Sequence, residues 1–431
     1  MSAEGHDPNA LGTQSTQSTM ISRFMDWMDE RMPLTDTMEY HATKYYAPKN
    51  FNFWYYFGVL ASLVLVNQIV TGIWLTMSYV PSGAEAFSSV EYIMRDVEFG
   101  WLLRYLHSTG ASAFFVVVYL HMFRALAYGS YQKPRELLWL LGMGIFIALM
   151  AEGFFGYLLP WGNMSFWAAQ VIVSLVGAIP LIGPDLMEWV RGDFLISEIT
   201  LNRFFALHVI ALPLVLVALV FLHIVALHHV GSNNPDGVNI KEHKDENGVP
   251  LDGIAFHPYY TVHDIQATVV FLFFFCAIVF FAPDMGGFFL EKPNFEEANP
   301  VKTPEHIVPV WYYLPYYAML RAATFPLFGL DAKFWGLVVM GAAIMVPCVL
   351  PWLDKSPVKS MRYKGKLSKI MLGVFVFSLF VLAYLGYVPS TGPRTAAAQF
   401  FTMLYFSYFV LMPWYTRVEA TKPVPDRVTM R

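Results

Sequence analysis

Charged residues are scarce in this sequence. Asp, Glu, Lys and Arg make up 14% of the 431 residues, whereas soluble proteins carry about 25%. Hydrophobic residues make up 56%, and the mean hydropathy is +0.46. So few charges cannot cover a globule of this size, and the net charge of −4 does not favour binding to nucleic acid. A water-soluble enzyme and a nucleic-acid-binding protein are therefore excluded.

Cysteine is almost absent as well. Cys276 and Cys348 are the two cysteines, and both stand inside apolar runs, where a thiol behaves as a small hydrophobic side chain. No C-x-x-C or C-x-x-C-H motif is present, so the sequence indicates no zinc site, iron–sulfur cluster or covalently attached haem. A secreted disulfide scaffold is excluded too.

Long apolar runs are what the sequence does contain. Each is about the 20 residues that a helix needs to span a bilayer, and none alternates as the strands of a membrane barrel would. We therefore predict an all-α integral membrane protein with eight transmembrane helices. The predicted spans are at about 53–79, 103–127, 137–158, 202–227, 265–283, 333–353, 368–388 and 397–417.

The segment before the first span is of mixed character. The polar residues 12–19 precede Phe24, Trp27 and Met28, which predicts a disordered tail followed by an amphipathic helix at the membrane interface. No short apolar segment with a cleavage site comes first, so no secretory signal is expected.

Lysine and arginine in the short loops predict the orientation. They crowd residues 355–366, between the sixth and seventh spans, and Lys133 and Arg135 stand between the second and third. Because cytoplasmic loops are enriched in these residues, we expect these loops and both termini on the cytoplasmic, negative side. The long loops at about 159–201 and 284–332 then face the positive side, and loops of that length are usually functional.

Four histidines stand deep inside two of the predicted spans. His107 and His121 lie fourteen residues apart on the second span, and His208 and His223 lie fifteen apart on the fourth. Fourteen residues are almost four helical turns, or about 21 Å, so both histidines of a span share one face. The second and fourth spans run parallel, which pairs the histidines at two depths, as two stacked six-coordinate haems require. Pro213 would let a wide turn absorb the fifteenth residue.

Glycines and arginines repeat this pattern. Two glycines on each of the other two spans are also fourteen residues apart, and a flat macrocycle needs neighbours that lack side chains. Two arginines each stand three residues from a histidine of the second span, where they could pair with haem propionates. These residues are Gly58, Gly72, Gly142, Gly156, Arg104 and Arg124.

Five segments carry a specific resemblance. The segments are 101–107, 156–167, 202–208, 231–235 and 314–321. They resemble the cytochrome b family of quinol–cytochrome c reductase (cytochrome bc, respiratory complex III), in its bacterial type, over about residues 40 to 415.

The resemblance implies two non-covalent b-type haems. His107 and His208 would hold the low-potential haem iron, and His121 and His223 the high-potential one. It also implies oxidation of quinol on the positive side, with one electron leaving to a Rieske iron–sulfur protein. The other electron would cross both haems and reduce quinone on the negative side, which generates a proton gradient (the Q cycle).

The resemblance also implies an assembly and a division of the chain. The expected partners are the Rieske protein, a membrane-anchored cytochrome c subunit, a second copy of the complex and the lipid bilayer, in a bacterial inner membrane. We expect residues 1–52 to form the tail and interfacial helix. Residues 53–231 would form the dihaem four-helix bundle, and 232–431 a four-helix part that completes the quinone sites.

The positive-side pocket departs from the family pattern. The family's Pro-Glu-Trp-Tyr motif stands here as Pro309-Val310-Trp311-Tyr312, and Val310 cannot take a proton from quinol. Glu296 or Glu305 is expected to replace the missing glutamate, with water as the alternative. Ala168 stands where many relatives carry Gly, which predicts weaker binding of strobilurin-type inhibitors. The other residues of this pocket are Tyr157, Met164 and Tyr317.

The negative-side pocket resembles the family's at His228, Ser232 and Asp264. His263 stands where a lysine is frequent, and an imidazole can still donate to a quinone carbonyl. Two other functions stay open at this point. One is a secondary transporter that moves protons through its intramembrane histidines, and the other is a dihaem membrane anchor of a dehydrogenase, which is normally shorter.

Overall fold

The computed structural model describes residues 20–430. Within that range, seven helices are long and apolar enough to cross a membrane, and a bent helix pair makes up to an eighth span. This confirms the predicted all-α membrane protein. In chain order, the spans are Phe53–Thr76, Gly100–Tyr128, Glu136–Leu158, Glu198–Val230, Phe256–Phe281, Ala332–Leu353, Lys366–Tyr387, and Gly392–Val410 with Met412–Val418.

The boundaries differ most from the prediction at the fifth and eighth spans. The fifth helix begins at Phe256 rather than near residue 265, because the polar residues His263 and Asp264 continue the helix although they interrupt the apolar run. The eighth span bends by 55° between Val410 and Met412. Pro413 stands in the first turn after this bend, where a helix does not need its missing N–H donor.

A wide turn interrupts the fourth span. The helix Glu198–Ala206 passes into a π-helical turn, Leu207–Ala211, and continues as Leu212–Val230. A π turn holds one residue more than an α turn. It therefore takes up the fifteenth residue between the histidines, and Pro213 follows in the first turn of the next helix, as the predicted wide turn requires.

Shorter elements fill the ends and loops. The predicted amphipathic helix is present as Met20–Asp29, its place at a membrane surface stays a prediction, and the predicted tail at 12–19 lies outside the described residues. Strands Tyr46–Pro48 and Gly253–Ala255 pair antiparallel, with Tyr46 opposite Ala255. The other helices are Leu34–Ala42, Ala86–Arg95, Asn163–Val176, Gly183–Arg191 and Leu314–Ala322, with 3-10 turns at Phe53–Tyr55, Met285–Gly287, Lys292–Phe295, Trp311–Tyr313 and Val346–Val349.

The spans pack as two groups. The first span packs on the second and the third on the fourth, while Leu314–Ala322 packs against the sixth, seventh and eighth spans. One buried apolar cluster runs from the second and third spans through Leu314–Ala322 to the seventh and eighth. A smaller cluster lies beneath the helix Asn163–Val176. The loop that contains Trp311–Tyr313 is thereby held against the second and third spans.

Candidate functional site

The four intramembrane histidines form two facing pairs. His107 of the second span faces His208 of the fourth, with ring centres 6.1 Å apart. His121 faces His223 in the same way, with ring centres 6.4 Å apart. Bonds from a metal to imidazole nitrogen are about 2 Å long, so one metal between two imidazoles separates the ring centres by about 6 Å. Each pair therefore has the spacing that a single iron with two axial ligands needs.

Glycines of the first span lie against the histidines of the second. A Cβ atom at Gly72 would lie 3.2 Å from His107 Cε1, and one at Gly58 would lie 3.5 Å from His121 Cε1. The two glycines thus meet the second span at the two histidine depths. Any larger side chain would enter the space beside the imidazole rings.

Glycines of the third span lie against the histidines of the fourth. A Cβ atom at Gly142 would lie 3.2 Å from His223 Cε1. One at Gly156 would lie 2.8 Å from His208 Nδ1, a distance that real Cβ atoms essentially never show. Each of the four histidines is therefore matched by a glycine on the neighbouring span.

Hydrogen bonds orient the His107–His208 pair. The Thr71 hydroxyl donates to the Asn67 carbonyl at 2.6 Å and lies 3.0 Å from His107 Nδ1. Since its proton is already used, this hydroxyl accepts from the Nδ1–H, which leaves Nε2 unprotonated. His208 Nδ1 lies 3.0 Å from the Glu152 carbonyl oxygen, which can only accept. Both rings therefore keep Nε2 unprotonated and able to bind a metal, as metal-binding histidines do.

Buried polar atoms lack partners at the His121–His223 level. Arg124 places its guanidinium 4.9 Å from the centre of the Tyr55 ring, with NH2 3.4 Å from His121 Nδ1. Arg124 Nε and His223 Nδ1 are buried without a hydrogen-bond partner among the described residues. A buried donor without a partner is costly, so a bound anionic group such as a haem propionate fits here. Arg104 lies one turn before His107 on the same span.

The candidate metal ligands of the described residues come in facing pairs. Within residues 20–430, no group of three or more His, Cys, Asp or Glu side chains could hold a metal ion. An iron between paired imidazoles would need its remaining ligands from a macrocycle. The facing pairs, the adjacent glycines and the unpaired Arg124 Nε together fit two non-covalent b-type haems.

The residues expected in the positive-side pocket lie around the end of the third span. Tyr157 stands at that end, and Met164 and Ala168 are buried in the helix Asn163–Val176 that follows. Pro309 precedes the buried Val310, which belongs to the large apolar cluster. The structure thus places the departures at residues 168 and 310 in buried surroundings.

The aromatic residues of this region are held by specific contacts. Trp311 Nε1 donates to Ser112 Oγ at 3.1 Å, and the Tyr312 ring stacks on Phe115 with centres 3.7 Å apart. The Tyr317 hydroxyl donates to the Ile307 carbonyl at 3.3 Å. Trp311 and Tyr312 are therefore tied to the second span, which carries two of the histidines.

The two glutamates expected to replace the missing one lie at the surface. Glu296 is exposed and pairs with Lys302 at 3.1 Å, and Glu305 is exposed as well. The buried carboxylate of this loop is Glu291, which accepts a hydrogen bond from the Tyr157 hydroxyl at 3.0 Å. Glu291 was not among the predicted residues, although the apolar residues just before it indicate burial.

The residues expected in the negative-side pocket fall into two sets, His228 with Ser232 and His263 with Asp264. Tyr45 contacts the first set. Its ring stacks on His228 with ring centres 4.5 Å apart, and its hydroxyl lies 2.9 Å from Ser232 Oγ. His263 and Asp264 are neighbours on the fifth span, where His263 Nδ1 donates to the Tyr259 carbonyl at 2.8 Å. Tyr45, Thr71 and Glu152 were not predicted, because each meets its partner only in the folded chain.

Comparisons with known proteins agree with this geometry. Residues 42–231 match the family described as Cytochrome b/b6/petB, and residues 297–406 match Cytochrome b(C-terminal)/b6/petD. A protein named cytochrome b from Allochromatium vinosum is 61% identical over 409 residues, which cover 94% of this chain and 98% of the relative. Cytochrome b from Rhodospirillum rubrum is 46% identical over a match that covers 95% of this chain and 96% of the relative.

A solved structure shares the fold. It is named Hyperthermophilic respiratory Complex III, and it superimposes with a TM-score of 0.83 at 36% identity. The match covers 92% of this chain and 99% of the other. Both halves of the chain are thus matched in sequence, and nearly the whole of it in structure. The chain belongs to the cytochrome b/b6 family.

Proposed function

We propose that this chain is the cytochrome b subunit of a proton-translocating quinol–cytochrome c reductase of the complex III type. The observation that carries the proposal is the pair of facing imidazoles at each of two depths, with a glycine of the neighbouring span against every ring. The name of the matched structure, a respiratory Complex III, supports the same assignment.

Each histidine pair has a distinct role in the proposal. His107 and His208 hold the low-potential haem nearer the quinol-oxidising pocket, and His121 and His223 hold the high-potential haem. When bound, the two haems supply one-electron transfer between the two pockets. Two imidazoles per iron leave no open coordination position, so substrates bind elsewhere. The polypeptide must therefore provide both quinone pockets.

Quinol is oxidised in the positive-side pocket. The aromatic side chains of Tyr157, Trp311 and Tyr312 line it and exclude water, while Met164 and Ala168 form its apolar wall. A quinol that becomes a quinone gives up two electrons and two protons. One electron leaves to the Rieske iron–sulfur protein, the other crosses the membrane part of the chain, and the protons leave on the positive side.

Quinone is reduced in the negative-side pocket. His228, Ser232 and His263 offer hydrogen-bond donors to the quinone carbonyls, and Asp264 passes protons to the reduced quinone. Proton uptake here and proton release at the other pocket generate the gradient.

Asp264→Asn should slow re-oxidation of the high-potential haem, because the variant cannot pass protons to the reduced quinone. Flash or stopped-flow measurements give this rate, and an unaltered rate would contradict the proposed role of Asp264.

The proposal includes an assembly and a location. The chain works with a Rieske protein and a membrane-anchored cytochrome c subunit, in a dimer of complexes in a bacterial inner membrane with both termini cytoplasmic. Residues 53–231 carry the haem ligands, and residues 232–431 complete the quinone pockets. The short loops rich in lysine and arginine and the long aromatic loops then lie on opposite faces.

A spectrum and an assay test the proposal together. The purified complex should show a reduced α-band with two b-type components and should reduce cytochrome c with quinol. A colourless protein would indicate a transporter instead. Two haems without cytochrome c reduction would indicate a dihaem anchor of a dehydrogenase.

A further inference from the structure

The loop between the fifth and sixth spans contains one buried carboxylate. Glu291 is 9% exposed. None of the ion pairs found within residues 20–430 involves it. A buried carboxylate without a cation needs other hydrogen-bond donors. The remaining acidic residues of the loop are half-buried or exposed: Asp284, Glu296, Glu297, Glu305 and Asp331.

Tyr157 and Asn294 supply those donors. The Tyr157 hydroxyl donates to Glu291 Oε2 at 3.0 Å. Asn294 Nδ2 lies 2.9 Å from the Tyr157 hydroxyl and 3.2 Å from Glu291 Oε2, and it donates to both. The carboxylate is thereby joined to the tyrosine at the end of the third span, which lines the proposed quinol-oxidising pocket.

The first turn of the helix Asn163–Val176 fixes this arrangement. Ser165 N donates to Asn294 Oδ1 at 2.8 Å, so the Asn294 amide must point its NH2 group at Glu291 and Tyr157. A Cβ atom at Gly162 would lie 2.6 Å from Asn294 Oδ1, so glycine allows the loop to approach this closely. These hydrogen bonds therefore hold Glu291 in a fixed position beside the proposed pocket.

Electrostatics suit Glu291 to exchange protons near neutral pH. Burial raises its pKa to about 7, against the lowering effect of hydrogen bonds from its own N–H, Tyr157 and Asn294. Burial raises the pKa of the nearby Tyr312 hydroxyl, and the negative charge of Glu291 raises it further. The facing titratable groups are thus two neutral tyrosines, while the adjacent Lys292 is exposed.

We propose that Glu291 is the catalytic base of the quinol-oxidising pocket and replaces the carboxylate that is missing at Val310. This inference rests on the proposed function. As a quinol O–H bond breaks, its proton bonds to a carboxylate oxygen of Glu291. The quinol's second proton leaves towards the iron–sulfur protein, and its two electrons go to the two one-electron acceptors named above. Glu291 then releases its proton to water at its exposed edge.

The test compares Glu291→Gln with Glu297→Gln, an exposed position of the same loop, in membranes that contain the whole complex. Glu291→Gln should lower quinol-dependent reduction of cytochrome c at pH 7 by about 10- to 100-fold, at or below the usual contribution of a general base. In the parent, the rate should rise with pH around pH 7, and this rise should disappear in Glu291→Gln. Glu297→Gln should change neither the rate nor its pH dependence, and adding Val310→Glu to Glu291→Gln should restore turnover.

Other outcomes separate the two proposals. If the parent complex contains no haem or does not reduce cytochrome c with quinol, the proposed function fails. If the parent is active and Glu291→Gln keeps its rate and pH profile, only the role of Glu291 is overturned. A slow Glu291→Gln variant with an unaltered pH profile and no recovery from Val310→Glu shows a structural role and also overturns it.

Should Glu291→Gln fail to assemble, Asn294→Leu decides the question. Loss of the Asn294 donor disfavours the ionised carboxylate, so the pH at half-maximal rate should move upwards. An unchanged half-maximal pH in an assembled Asn294→Leu complex overturns the proposal. The haem spectrum of each preparation shows whether the complex has assembled.

Discussion

Gly156 leaves the space beside the His208 ring. A Cβ atom there would lie 2.8 Å from His208 Nδ1, and the ring is held in place by its hydrogen bond to the Glu152 carbonyl. Gly156→Leu should therefore abolish haem binding at the His107–His208 level and leave about half of the total haem. Gly373→Ala is the matched control, because nothing lies within 4 Å of the added methyl group. Pyridine haemochrome spectra measure the haem content of both variants. Full haem content in Gly156→Leu would contradict the role of Gly156.

Single residues differ in how far the sequence predicts them. The histidines of the second span and both glycine pairs stand fourteen residues apart, and the histidines of the fourth span fifteen. Helix geometry therefore predicts that they lie at two common depths. Glu291 and Tyr157 are 134 residues apart, and their contact depends on how the loop folds back over the helix Asn163–Val176. No local pattern encodes that contact, so the choice among the loop glutamates could not be made from the sequence.

The π turn at Leu207–Ala211 sets the register of the fourth span. It holds one residue beyond a regular helix, and removing that residue should convert it to an α turn with His223 still facing His121. We expect deletion of Ile210, which is 58% exposed, to keep both haems. The redox difference spectrum of the purified complex checks this.

Deletion of Val116 is the matched control for the second span. That helix is continuous from Gly100 to Tyr128, so losing one residue turns His121 by about 100° away from His107. This variant should lose the haem of the His121–His223 level. Loss of a haem in the Ile210 deletion, or two haems in the Val116 deletion, would contradict this reading of the two helices.

The sequence predicts the helices well but not their interruptions. Apolar length is a local property, so all eight spans could be located. The start of the fifth span at Phe256 and the bend near Met412 depend on polar residues that the rest of the fold accommodates. The wide turn of the fourth span is the exception, because the fifteen-residue spacing and Pro213 both indicate it.

At the scale of the whole molecule, two buried carboxylates fasten the carboxyl end to the rest. Asp252 accepts hydrogen bonds from Arg427 at 2.6 and 2.9 Å and pairs with Lys49 at 2.8 Å. Asp236 accepts from Thr429 N at 2.8 Å and pairs with Arg362 at 3.1 Å. Four distant parts of the chain are thus joined on one face.

Asp252→Asn should weaken this junction. Burial by itself would raise the pKa of Asp252, but hydrogen bonds from Arg427 and Lys49 lower it. A lowered pKa stabilises the fold above the unfolded pKa of about 3.9, and this stabilisation is lost as the pH falls through the folded value. At pH 7, we expect a loss of about 1 to 3 kcal/mol.

Thermal loss of the haem spectrum measures that change. The midpoint temperature of this loss should fall in Asp252→Asn at pH 7. It should stay unchanged in Asp426→Asn, whose side chain is exposed near the same end of the chain. Equal midpoints for the two variants would show that the junction does not stabilise the complex. The sequence does not predict such long-range ion pairs, because the partners are separated by as many as 203 positions, from Lys49 to Asp252.

Counting haems in a histidine variant tests the whole assignment most directly. The purified parent should contain two b-type haems per chain by pyridine haemochrome assay. His121→Leu should retain only the haem of the His107–His208 pair, whereas His229→Leu, at an exposed position of the fourth span, should retain both. A parent chain without iron, or a His121→Leu variant that keeps both haems, would contradict the assignment.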